Sequence, residues 1–327
     1  FDIDSDVVKE YFPFEHVKQA TLDAYQKLLG VVFRRHLDVK LLHQDAQVYD
    51  VCDKSGDYLS TFILDLYPRE GKYGHACASE ITYGRQEGNE YRAPLAAMLA
   101  NFPKPSAENP SLMSHGEVET FFHEFGHIMH FTLTKARYRA QSGFSVAMDF
   151  VEAPSQMLEN WVWEKDILDE FARHYKTGEK IPQDLLAAKI KAKNANSGIR
   201  YQQQLFYAAL DMTYHDGFPS NGDTTETVKK LQEEYTIYPY MEGSNFQASF
   251  GHLTGYAAGY YGYMWSEVYA QDMFSRFEKE GVMNQALGIE YKNTIVAVGD
   301  SLDIMEQLKK FLGREPNADA FLKSIGL

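Results

Sequence analysis

Apolar positions along this chain recur with two different periods, and the change between them divides it. Over residues 46 to 66, AQVYDVC alternates apolar and polar side chains, KSGD reads as a turn, and YLSTFILDL is rich in strand formers. That pattern predicts a β-hairpin. GKYGHACASEITYG sets three glycines around a short apolar stretch and predicts strand and loop. APLAAMLANF, residues 93–102, fits a buried strand or a helix, because periodicity does not separate the two in so short a run. NFPKPSAENPS, with three prolines, reads as a loop. Residues 5–35 read as helical, with Ser5 as N-cap and Pro13 as punctuation. From residue 114 onward, helical spacing predicts helices over 115–136, 151–176, 183–214, 223–236, 257–280 and 301–312. The breaks fall at SGFS, KTGEKIP, HDGFPSNGD, PYMEGSN and LGREPNAD. With no repeat, low-complexity tract or flexible linker, residues 1–327 predict one domain, mainly α with a small β portion at about 46–102.

Composition narrows the partners. A net charge of −14 disfavours nucleic acid and anionic membranes, whose phosphates need Lys and Arg. It is compatible with cationic ligands, although plain solubility is the simpler explanation. No apolar run approaches the ~18 residues of a membrane span, and no signal peptide is visible. The two cysteines cannot form a disulfide framework. A reducing, cytoplasmic location is expected, with a native N-terminus that can lie upstream of FDIDSD.

Candidate chemistry sits in FFHEFGHIMHF, residues 121–131. Ser114 and Glu117 fit a capping box that starts a helix, and Val118, Phe121, Phe122, Phe125, Ile128 and Met129 supply its apolar contacts. His123 and His127 stand one turn apart on the same face, roughly 6 Å along the axis, and can share one zinc ion. Glu124 points to an adjacent side, where it reaches water rather than metal. The competing reading is a buried histidine pair satisfied by hydrogen bonds. The extended pattern HExxHxxGxxH is excluded, since His130 and Leu133 stand where Gly and His are required. The other solution takes a Glu from a second helix. Glu152 lies 25 residues after His127, with Pro154 suited to a first turn. Glu159 and Glu164 are rivals deeper in a helix whose later face reads as solvated charge. Two His, one Glu and an open position make a catalytic rather than a structural zinc site. Glu119, one turn before His123, and Asp149, three before Glu152, are candidates to orient a ligand His, with capping or solvation as the alternative. His130 reads as structural.

At HEFGHIMH and DFVEAPSQMLENWVWE the chain resembles the thimet oligopeptidase and neurolysin family of zinc oligopeptidases. KEYFPFEHV, LDLYPREGKYGHA, SHGEVETFFHEFGH, FGHLTGYAAGYYGYMWSEVY and FLGREPNADAFL match segments of that family in family order, so the resemblance covers essentially the whole chain. It implies a zincin-type fold (HExxH plus Glu), with one zinc held by His123, His127 and Glu152 and with Glu124 as general base. It further implies a mobile loop over the site in which His252, Tyr256, Tyr260 and Tyr263 contact substrate and stabilise the oxyanion. Tyr261 and Trp265 read as an aromatic core stripe. The family's loops carry two glycines before the first Tyr, where this chain has only Gly255. Family members are also longer, with an N-terminal lobe that forms the opposite wall of a deep channel. The chain therefore reads as the catalytic half, either a fragment or a short natural variant. The face toward the missing half should be partly apolar or paired with a second chain.

The expected function is a zinc metalloendopeptidase of short peptides, with Tyr263 and Tyr256 or His252 on the oxyanion. The alternative is a zinc-containing peptide-binding module without turnover.

Overall fold

The first long helix stops at a glycine. α1 (Ser5–Lys9) and α2 (Phe14–Leu29) are separated at Pro13, and Gly30 caps α2 in the left-handed region at φ 65°. The chain then extends into β1 (Val31–His36), which corrects the helical expectation for 31–35. β-branched Val31 and Val32 pair with Asp53 and Cys52 on the neighbouring strand. Asp4, not Ser5, caps α1, its carboxylate accepting from the Asp6 backbone N–H at 2.9 Å. The computed structural model describes residues 4–41, 43–106 and 110–327, so residues 107–109 of the expected NFPKPSAENPS loop lie outside it.

The predicted hairpin forms as β2 (Gln47–Asp53) and β3 (Tyr58–Asp65). β4 (Cys77–Thr82) comes from the glycine-flanked stretch, and β5 (Arg85–Glu87) and β6 (Glu90–Arg92) make a separate small hairpin. Residues 93–102 resolve as strand β7 (Leu95–Leu99), too short between Pro94 and Pro103 to gain from a helix. The main sheet has the order β1-β2-β3-β7-β4, with β3 and β7 parallel and the other neighbours antiparallel. β4 is thus an edge strand. Alternation on β3 and β7 buries Phe62, Leu64, Ala96 and Met98 on one face.

Across that face lies α3 (His115–Thr132). Its Phe125 ring meets Phe62 at 5.3 Å and Phe33 at 5.7 Å. The expected 151–176 helix is broken into α4 (Ala153–Glu159), a tight turn at Asn160–Trp163, and α5 (Lys165–Phe171). The expected 183–214 helix is likewise two, α6 (Gln183–Lys191) and α7 (Ser197–His215), parted at Asn196 with φ 61°. α8 (Thr224–Tyr235), α9 (Phe246–Ser249), α10 (His252–Gly255) and α11 (Gly262–Glu280) follow, then α12 (Gln285–Tyr291), α13 (Ile304–Leu312) and α14 (Asp319–Ser324). α9, α10, α12 and α14 lie outside the helices the pattern predicts, and residues 257–261 of the expected 257–280 helix form a loop instead.

The result is mainly helical with a small mixed sheet. One large apolar core joins the sheet to α2, α3, α4 and α11. A second, smaller one gathers Phe206, Leu210 and Val228 between α7 and α8, with Phe246 and Phe250 against it. Among the described residues, no helix is long and apolar enough to cross a membrane.

Candidate active site

α3 is built to be buried. Its capping box forms as expected, with the Ser114 hydroxyl accepting from the Glu117 N–H at 3.2 Å and Glu117 accepting from the Ser114 N–H at 2.7 Å. Apolar residues on nearly every side let the sheet, α2 and α4 cover it. The Tyr25 hydroxyl on α2 donates to the Phe122 carbonyl at 2.7 Å and anchors the turn that carries His123.

The approach of α4 depends on a glycine that pattern reading passed over. A Cβ at Gly126 would stand 2.8 Å from Ser155 Cα, so only glycine lets the two backbones come this close. The available signal was a glycine inside a helix facing a small residue of the next one. That contact sets Glu152, which precedes Pro154 in the first turn of α4, over the histidine pair.

Glu152 Oε2 lies 2.9 Å from His127 Nε2 and 3.3 Å from His123 Nε2. Ligand atoms of all three residues fall within 4.8 Å of one another. Two imidazole nitrogens and a carboxylate oxygen are a zinc donor set, and the edge of a tetrahedron with ~2.1 Å bonds is about 3.4 Å. The residues fit the ion. Burial works against charge on His123, but Glu152 and Glu159 outweigh it and hold its pKa well above the usual value. Burial likewise works against charge on Glu152, but His127 and His123 outweigh it and hold that carboxyl well below its usual range. Opposite charges thus compensate the loss of solvent around these side chains.

The carboxylate that hydrogen-bonds to the histidine pair from behind is Glu159, not Glu119 or Asp149. The His123 Nδ1–H donates to Glu159 Oε1 at 2.6 Å, which leaves Nε2 for metal. Glu119 instead accepts from the Trp163 indole N–H at 2.7 Å, because α3 turns it toward α5 and α6. Asp149 accepts from the Tyr261 hydroxyl at 2.9 Å. Glu159 had read as surface charge; the break after α4 turns it inward.

A cavity of about 550 Å³ opens onto the cluster. Glu124 lines it, with Oε2 buried and unpartnered among the described residues. Burial raises its pKa, opposed by His123, His127 and the Ala78 backbone N–H on β4. His252, Tyr256 and Tyr263 line the same cavity. Burial, then Glu152, pushes the Tyr263 phenol up, so it stays a hydrogen-bond donor. Tyr260, expected beside them, does not line the cavity: it turns back to α7, where its hydroxyl donates to Gln204 Oε1 at 3.0 Å. Tyr261 and Trp265 are not core, being 37% and 52% exposed, since helical spacing sets them on the outer side of the loop and α11. His130 is core, 1% exposed, its pKa lowered to about 3 by burial.

The whole chain, residues 1–327, matches the model of Peptidase family M3. The chain belongs to this family. It is 44% identical to the thimet-like oligopeptidase of Dictyostelium discoideum, over all of this chain and 50% of that protein. It is 38% identical to saccharolysin of Saccharomyces cerevisiae and 35% identical to oligopeptidase A of Escherichia coli, over all of this chain and 48% and 49% of those proteins. This M3 chain therefore spans about half the length of the curated relatives it matches. Among solved structures, the Pyrococcus furiosus carboxypeptidase is similar with a TM-score of 0.57 at 13% identity, over 98% of this chain and 60% of that one. PZ peptidase A is similar with a TM-score of 0.54 at 14% identity, over 80% and 42%. These likenesses show the zincin-type fold of the M3 chain.

Proposed function

We propose that this M3 chain, read as one catalytic domain, is the catalytic part of a zinc-dependent metalloendopeptidase that hydrolyses peptide bonds in short oligopeptides. One observation carries the reading: His123, His127 and Glu152 converge in a cavity beside Glu124, a buried carboxylate with an unpartnered oxygen. His123, His127 and Glu152 would hold the ion with a position left open, the arrangement of a catalytic site. When bound, zinc supplies a Lewis acid that polarises a carbonyl oxygen and acidifies water.

Glu124 accepts a proton from the attacking water, then delivers it to the amine nitrogen as the C–N bond breaks. Its raised pKa brings it nearer to neutral pH and suits both halves of that transfer. The Tyr263 hydroxyl, with Tyr256 or His252, donates to the oxyanion. Glu159 holds His123 in the tautomer that keeps Nε2 free. Cys77, Ala78 and Glu80 of edge strand β4 line the cavity, and the free edge offers backbone groups to an extended peptide. The opposite wall would come from a further part of the protein or from a second chain. Tyr256, exposed and lining the cavity, gives that side apolar character. Two free cysteines fit a reducing, cytoplasmic setting.

A second reading, a peptide-binding module without turnover, draws on the chain's half-length match to its relatives. Hydrolysis of an internally quenched peptide separates the two, measured with zinc, after chelation and after zinc is restored. Cleavage that disappears and returns supports the peptidase. Stoichiometric binding without cleavage in every state supports the module.

A further inference from the structure

The residues around the ligand cluster come from α3 and the start of α4, but those opposite, His252, Tyr256 and Tyr263, come from α10, the first turn of α11 and the irregular loop 256–261 between them, and something must hold that loop in place. We propose that Asp211 of α7 is a positioning residue that holds the 256–261 loop, and with it Tyr256 and the start of α11 that carries Tyr263, in place over the cluster. The inference rests on the oxyanion role given to those phenols above.

Asp211 is 1% exposed. A carboxylate this deep needs partners for both oxygens. Oδ1 accepts from the Ala258 N–H at 3.0 Å and Oδ2 from the Tyr260 N–H at 2.8 Å. On its own helix, His215 Nδ1 lies 2.8 Å from the Asp211 carbonyl and 3.0 Å from Oδ1. His252 Nδ1, 3.9 Å from Oδ2, stands beyond bonding distance. The carboxylate thus clasps alternate backbone N–H groups of the loop, groups no helix there satisfies.

The clasped backbone is strained. Ala258 has φ 56°, a left-handed conformation in which a Cβ crowds the following carbonyl. Such a residue persists only where its surroundings over-determine it, and its own N–H is the one Asp211 Oδ1 receives. The same α7 takes the Tyr260 hydroxyl through Gln204. The far side of the loop is seated too. A Cβ at Gly262 would meet the Met148 carbonyl at 3.0 Å and Asp149 Cα at 3.2 Å, and the Tyr263 carbonyl accepts from Gln156 Nε2 at 3.1 Å. The loop is therefore gripped between α7 and the backbone leading to Glu152. Tyr256 lies two residues before one clasped N–H and Tyr263 three after the other. Asp211 itself does not line the cavity, so it acts only through the loop.

The test uses the full chain loaded with zinc and two variants. Asp211→Asn keeps the shape but turns an amide N–H₂ toward one loop N–H. Ala258→Val leaves Asp211 intact and opposes the left-handed φ with a β-branched side chain. Amide exchange over 256–262 is expected to speed up by about 10-fold or more in both, with α3 still protected and zinc content unchanged. Turnover of an internally quenched peptide should fall about 10-fold or more, mainly in kcat, the signature of an interaction made in the transition state. Adding Asp211→Asn to Tyr263→Phe should lower the rate by no more than about twofold, since the two act as a unit. Unchanged loop exchange in Asp211→Asn, or full additivity with Tyr263→Phe, overturns the proposal. If Asp211→Asn does not fold, Asp211→Glu, which keeps the charge but displaces both oxygens from the loop N–H groups, decides on the same exchange and kinetic readouts. A parent protein without turnover would defeat the peptidase reading separately, because amide exchange still reports whether Asp211 holds the loop.

Discussion

The two sides of the cavity are built on different principles. On one side, α3 and α4 present ligands from helices sunk in the main core, where Phe121, Phe125 and Ile128 are wholly buried. Helical spacing places His123 and His127, and one glycine contact places Glu152. On the other side, Tyr256 is 56% exposed and rides a loop attached to a small satellite core. No repeating pattern places it; a carboxylate distant in sequence does. A site held by periodic burial announces itself in the order of residues. A site held by a few long-range polar contacts does not. In the proposed mechanism the difference would also separate their duties, with the buried side binding the ion and the exposed side recognising the transition state.

The comparison can be broken first at the ligand frame. Glu152→Ala is expected to abolish stoichiometric metal binding and all detectable peptidase activity, whereas Glu159→Ala should keep the ion with affinity lower by about 10–100-fold. Metal analysis after dialysis checks both, and retention of zinc by Glu152→Ala would move the third ligand elsewhere. On the loop side, Tyr263→Phe should keep full zinc content and lose activity by roughly 10²–10³-fold. A parental rate would return Tyr263 to a packing role.

Acid sharpens the contrast further. His115 opens α3, is 5% exposed and donates from Nε2 to the Val162 carbonyl at 2.8 Å. Burial, then Lys189, lowers its pKa to about 4. The folded value lies below the unfolded one of about 6.5, so the unfolded chain binds the proton first and stability falls as pH drops from about 6.5 toward 4. Between pH 7 and 5 this one group should remove about 2 kcal/mol from the metal-free protein. Urea unfolding of the parent and of His115→Phe at the two pH values measures it. Equal pH dependence in both would mean that His115 is not held neutral by the frame.

Much of this was legible in the residues, and the failures share a physical cause. The capping box, the histidine pair and Glu152 rest on local spacing, and Pro154 marked the start of the returning helix. Glu159 was misread because its face depends on where α4 breaks, and the break is set by burial of Trp161 and Val162 rather than by a glycine or proline. Glu119 and Asp149 stand near the site in sequence but were taken by Trp163 and Tyr261 across it. β1 was missed because Val31 and Val32 follow a helix closely, and only the left-handed Gly30 separates the two. The family resemblance groups Tyr260 with Tyr256 and Tyr263, yet its hydroxyl donates to Gln204 on α7. Asp211 had no signal at all, being one acidic residue on an ordinary amphipathic helix.

The central claim is that Glu124 moves the proton while its neighbours hold the ion, and one measurement addresses it directly. Glu124→Gln keeps the size and burial of the side chain but removes the base. At zinc content equal to the parent's, the account predicts hydrolysis of an internally quenched peptide slower by about 10²-fold or more. Hydrolysis at the parental rate by the fully zinc-loaded variant would contradict it.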